Sequence, residues 1–275
     1  MGLASPTVPK ADSFRERDTL VSACAYASGA AAAVAAVAIG VALVAYGWNE
    51  VAWVLSTPGP QGVLRALGTT ALIVLIALPI TFVAGILAAG SANDPNIGGI
   101  ASKALRESIE WSSGTPPVVV GVAVFFCAIA LHSQNALVMA TFALVVLNVP
   151  NATSRLALAF GAVPRQACDA AAALGASSAA SFFGLVLPLS VWAVAAALFA
   201  VAAQMIGETT AIAIAVSTSN GPQPLSVQIW HFASNRSLAG AEAAACAVLV
   251  TVIVIFLALS RACLRRGVEA VSLSP

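Results

Sequence analysis

The residues able to do chemistry are few, and most lie in or beside apolar runs. The most informative is Glu208, in Gly207-Glu208-Thr209-Thr210. An acidic side chain at the centre of a membrane helix costs about 2.5–3.5 kcal/mol on insertion scales, so a function or a fixed ion pair must offset it. Thr209, Thr210, Ser217, Thr218, Ser219 and Asn220 add hydroxyl and amide groups along the same stretch. A dehydrated oxyanion needs such donors, although Ser and Thr in membrane helices also bond to their own backbone. Gly114-Thr115-Pro116-Pro117 interrupts the chain ahead of another apolar run and frees backbone amides there. Inside a bilayer such a break is tolerated only where it faces protein or a water-filled cavity.

Other chemistries lack their residues. There is no G-x-x-x-x-G-K-[ST] loop to bind ATP phosphates, and no H-E-x-x-H. His132 and His231 are read as lying in outer loops, away from any partner suited to an intramembrane hydrolase. Cys24, Cys127, Cys168, Cys246 and Cys263 are scattered singly, with neither metal-ligand spacing nor a disulfide framework. A net charge of +1 offers no basic block for nucleic acid.

The elements that position these residues follow from composition. The chain is 60% hydrophobic and 8% charged, against about 25% charged in soluble domains. A helix needs about 20 apolar residues to cross the hydrocarbon core. Six stretches meet or approach that: 21–48, 63–90 with Pro79, 117–131, 135–160, 182–216 and 239–262. Lys10, Arg15, Arg17, Lys103, Arg106, Arg155, Arg165, Arg261, Arg265 and Arg266 fall on one side of that arrangement, and only Arg65 and Arg236 on the other. The positive-inside rule makes the first side cytoplasmic, with both termini there. The expected fold is therefore an all-α membrane protein of about six spans. Residues 1–20 form a cytoplasmic segment, 21–262 a single transmembrane domain and 263–275 a cytoplasmic tail.

Between spans four and five runs Val163-Pro164-Arg165-Gln166-Ala167-Cys168-Asp169-Ala170-Ala171-Ala172-Ala173-Leu174-Gly175-Ala176-Ser177-Ser178, continuing to Leu185-Val186-Leu187-Pro188. Alanine is the strongest helix former, so Asp169 to Leu174 predicts a short helix. Gly175 suits the position after its end, where positive φ is wanted. Ser177 or Ser178 then caps a second helix running into span five, with Pro188 near its start. The expected product, over residues 161–184, is a cytoplasmic helix-turn-helix that docks a partner.

This segment resembles the signature loop of ABC-importer permeases: E-A-A, three residues, G, nine residues, I-x-L-P. Asp169-Ala170-Ala171, Gly175 and Leu185-Val186-Leu187-Pro188 match that spacing, with Asp for Glu and Leu for Ile. The resemblance implies that Asp169, Ala170, Ala171, Gly175, Leu187 and Pro188 belong to a coupling element that fits a groove on a cytoplasmic ATPase.

A second resemblance narrows the substrate. Gly207-Glu208-Thr209-Thr210 looks like the Gly-Glu-Thr of phosphate permeases of the Pst system, and Leu225-Ser226-Val227-Gln228-Ile229-Trp230-His231-Phe232-Ala233-Ser234 resembles the outer loop of their PstA-type subunit. Gly114-Thr115-Pro116-Pro117-Val118-Val119-Val120-Gly121 sits where they carry a Gly-Val-Pro-Ser-Ile-type segment. The likeness implies a phosphate permease of a prokaryotic inner membrane working by alternating access. It further implies a PstB-like ATPase dimer carrying ATP and Mg, a PstC-like second permease and a PstS-like extracytoplasmic phosphate-binding protein, with no cofactor or metal in this chain. The translocation pathway would take Thr115, Gln204, Glu208, Thr209, Thr210 and Ser217. Three positions depart from the pattern: Gln204 and Cys168 replace usual arginines, and Leu156-Ala157-Leu158-Ala159 lacks the usual acidic pair. The alternatives are a permease for molybdate, tungstate or sulfate, and a secondary transporter without an ATPase.

Overall fold

The computed structural model describes residues 62–93, 114–132, 135–217, 223–234 and 239–272, with positions 38, 41, 42, 45 and 107. Among them are helices and turns and no strand. Most of the expected first span, residues 21–48, lies outside the described residues. Helix α1 (Val63–Asn93) contains Pro79, and α2 (Pro117–Ala130) starts with proline at its first position, where the missing N–H costs nothing. Asn135 caps α3 (Ala136–Gly161) by accepting from the Leu137 amide at 3.0 Å.

The loop that follows begins with α4 (Arg165–Ala173), turns at Gly175 with φ 83°, and restarts as α5 (Ser178–Ser181). Ser177 caps α5, its Oγ accepting from the Ala180 amide at 3.2 Å. The chain then passes through a π-helical turn (Phe182–Val186) into α6 (Leu187–Leu189), and bends by 74° at Ser190 into α7 (Val191–Gly207). After a two-residue break comes the half-helix α8 (Thr210–Ala215), then α9 (Leu225–Ser234) and α10 (Ala239–Ser272).

Three expectations are corrected. Residues 182–216 are not one continuous helix, because a 74° bend at Ser190 and a non-helical break at Glu208-Thr209 interrupt them. Residues 225–234, read as an outer loop, are helical, and His231 lies in that helix. The last helix continues past Ala262 to Ser272, running through Gly267 with no proline before Ser272 to stop it. Among the described residues three helices are long and apolar enough to cross a membrane, within α1, α3 and α10, and the bent pair ending in α7 would make a fourth. At 14 residues, α2 spans about 21 Å and falls short.

Packing explains the arrangement. The main seam is α1 against α3, and a second joins α7 to α10. Small residues let backbones approach closely where lipid supplies no hydrophobic drive between helices. A Cβ on Gly85 would meet Leu156, Ala152 and the Thr153 amide at 3.1–3.4 Å. The tightest place is Gly121 on α2, where a Cβ would stand 2.8 Å from the Ala211 carbonyl oxygen and 3.1 Å from Ile214. Only glycine lets α2 lie on the half-helix α8. We expect Gly121→Leu to destabilise the folded chain by about 1–3 kcal/mol through overpacking, read as a lowered thermal midpoint of the purified protein in detergent. Gly68→Ala, at a helical site with nothing within 4 Å of a new Cβ, should leave the midpoint unchanged or raise it. Equal midpoints for the two variants would contradict this account of the α2–α8 contact.

Candidate functional site

The break between α7 and α8 is built from short-range bonds. Gly207 ends α7, and Glu208 leaves the helix with extended backbone, φ −72° and ψ 117°. Its side chain turns forward, and Oε1 accepts from the Ala211 amide at 3.1 Å. That is an N-terminal cap: an acidic oxygen takes a free amide in the first turn, where the helix dipole also favours negative charge. The cap offsets part of the cost of placing this carboxylate in an apolar run. Among the described residues no basic side chain pairs with it, and its second oxygen has no partner.

Neighbouring elements lock the break from behind. Ser226 of α9 donates its hydroxyl to the Glu208 carbonyl at 3.0 Å. The Leu225 amide, at the start of α9, donates to Thr70 Oγ1 of α1 at 2.8 Å, while Thr70 donates to the Ala66 carbonyl at 3.0 Å. Thr70, Leu225 and Ser226 are buried. In a bilayer each freed backbone group needs an internal partner, and here three elements share that duty. Of these residues the sequence singled out Glu208 alone. Thr70 and Ser226 were legible only as ordinary hydroxyls, since their partners lie 155 and 18 residues away along the chain.

The predicted pathway residues separate into groups. Glu208 and Thr209 are half-buried at the break, with Gln204 and Thr210 exposed beside them. Gln204 lies in the last turn of α7, three residues before Gly207 ends the helix. Ser217 is exposed just beyond the far end of α8. Thr115 is half-buried two residues ahead of α2.

The loop residues form a different surface. Asp169, Ala170 and Gly175 are exposed, Ala171 is half-buried, and Leu174 is 90% exposed at the turn. Leu187 is half-buried and Pro188 exposed. The loop does not hang free of the bundle. Phe182, in the π-turn, stacks edge-on against Phe160 at the end of α3, with centroids 5.1 Å apart, and faces Gly90 of α1. Beyond the bend, Arg266 of α10 lies over the Trp192 ring at 5.5 Å. Ser190 at the bend donates to the Val186 carbonyl at 2.7 Å. Sequence reading missed the π-turn, whose one signal was Pro188 just downstream.

No curated protein matches the chain in sequence. Among solved structures, the chain is similar to one described as an amino acid ABC transporter with histidines. The TM-score is 0.58 and identity 18%, covering 74% of this chain and 93% of that one. At that identity the likeness concerns the fold. Residues 81–269 match the model of the family described as binding-protein-dependent transport system inner membrane component. That stretch includes the helix-turn-helix, the bend, the break and most of α10, so the chain belongs to this family and is a membrane-embedded permease subunit of an ABC importer.

Proposed function

We propose that this chain moves inorganic phosphate, and that the ion passes the break at Gly207 to Thr210. Glu208 carries the reading. One carboxylate oxygen is committed to the α8 cap and the other is left for a ligand. An ionised carboxylate only accepts hydrogen bonds. It accepts from the P–OH of a hydrogenphosphate and repels sulfate or molybdate, which carry no such proton at neutral pH. Thr210 and the Gln204 amide supply donors for the remaining oxygens, while the Thr209 hydroxyl donates to the Gly207 carbonyl at 3.4 Å. Gln204, in place of the usual arginine, gives directional donors without a charge, which favours release over tight holding. The amino acid in the name of the structural relative is a property of that protein.

In this reading a PstC-like permease faces the break, a PstS-like protein delivers phosphate, and a PstB-like ATPase dimer with ATP and Mg docks at Asp169 to Gly175. Both termini and the helix-turn-helix are cytoplasmic, and the pathway alternates its access. Only a ligand or nucleotide that binds the two access states unequally can drive that exchange.

Two variants separate charge from capping. Glu208→Gln keeps an oxygen for the Ala211 amide, so the subunit should assemble normally yet take up labelled phosphate at least about tenfold more slowly, the factor for 1.4 kcal/mol. Glu208→Ala also removes the cap, costing about 1 kcal/mol, and should lower subunit yield as well. Excess sulfate, molybdate or amino acid should leave wild-type phosphate uptake unchanged. Normal uptake by Glu208→Gln, or competition by one of those solutes, would sink the phosphate reading.

The docking surface has its own test. Ala171→Trp or Gly175→Trp should insert into the membrane in normal amount but fail to copurify the ATPase, because a groove fitted to small residues rejects bulk. Normal copurification and transport by both variants would remove this loop from the coupling.

A further inference from the structure

Among the described residues two buried polar atoms have no hydrogen-bond partner: Thr81 Oγ1 on α1 and Asn148 Oδ1 on α3. Both residues are fully enclosed, at 0% exposure. A buried polar atom without a partner is costly, so each one calls for an explanation.

The two atoms share one level of the main seam. Helices α1 and α3 run in the same direction: Ile73 and Val74 line one packing space with Leu144, and Gly85 packs on Ala152, Thr153 and Leu156. Stepping back one turn from Gly85 brings Thr81 opposite 148 and 149. A hydroxyl can donate and a carboxamide oxygen can accept, so the unused valences are complementary. The Asn148 amide is already held, Nδ2 donating to the Leu144 carbonyl at 2.9 Å, which leaves Oδ1 in place to accept.

Both helices are pliable at this level. Pro79 lies two residues before Thr81 and Pro150 two residues after Asn148. Each removes one rung of its helix, since proline cannot donate to the carbonyl four residues back, and kinks concentrate at such points. Thr153 and Ser154 further bend their hydroxyls to the Val149 and Pro150 carbonyls, at 2.8 and 2.9 Å. That back-bonding also bends helices.

We propose that Thr81 and Asn148 form a latch between α1 and α3, open in the arrangement described here and closed by a Thr81 Oγ–H to Asn148 Oδ1 hydrogen bond in the opposite access state. The proline level supplies the motion, and the bond stabilises the state in which it is made. The latch depends on alternating access, and not on which solute is carried.

Cysteine crosslinking tests it in membranes holding the assembled importer, with the native cysteines replaced. The pair Thr81→Cys with Asn148→Cys should crosslink at least about fivefold faster in one of two conditions, nucleotide-free or trapped with ATP and vanadate. The control pair Gly85→Cys with Ala152→Cys, one turn along the same seam, should crosslink equally in both. A state-independent rate for the first pair overturns the latch. A double-mutant cycle guards against a cysteine pair that does not assemble. Thr81→Val and Asn148→Leu should each slow ATP hydrolysis by the assembled importer severalfold at normal subunit yield, and the double variant should be no slower than either single one. Multiplying losses, or no loss in either single variant, also overturn it.

Discussion

A polypeptide inside hydrocarbon has nowhere to send an unpaired N–H or C=O except to itself, and the architecture of this chain depends on how it meets that demand where a helix stops. The break at Glu208 is the severest instance. Opening the helix there frees amides at the start of α8, and the same residue that opens it supplies the oxygen that takes one of them. Its own carbonyl is taken by Ser226, and the helix carrying Ser226 is fixed through Thr70. The arrangement leaves a carboxylate oxygen and the Thr210 hydroxyl at the end of α7 while the freed backbone groups of the break find partners within the chain.

The 74° bend at Ser190 solves the converse problem of connecting a surface loop to a buried helix. The π-turn before it places Phe182 against Phe160 and Gly90, so the end of the helix-turn-helix bears directly on α3 and α1. Seventeen residues of α7, about 25 Å, then separate the bend from the break. The loop is thus joined to the break through α7 and to the main seam through Phe182.

Much of this was legible in the sequence, and the parts that were not share a cause. Gly175 at positive φ, Ser177 as a cap and proline at the start of α2 depend on local rules, and each stands where its type predicts. Glu208 was conspicuous because a charge in an apolar run always is. Its role as a cap was hidden, since a mean-hydropathy window averages across a two-residue interruption and sees one continuous span. Residues 225–234 misled in the same way: without a strong period they read as loop, while burial of Leu225 and Phe232 against α1 and α10 makes them a helix. Thr70, Thr81 and Asn148 were illegible as a set, because long-range pairing in a membrane chain leaves no periodic trace.

The stacking of Arg266 on Trp192 has a consequence for depth in the bilayer. Helix α10 is 34 residues long, about 51 Å, well beyond a hydrocarbon thickness of about 30 Å. Its arginines at 261, 265 and 266 cannot sit among acyl chains, and tryptophan favours the headgroup layer. The pair thus acts as a waterline. It holds the start of α7, and with it the bend two residues earlier, at the plane where lipid gives way to water. From that height α7 is about 25 Å long, less than the hydrocarbon thickness of about 30 Å, so the break lies short of the opposite interface whatever the tilt of α7.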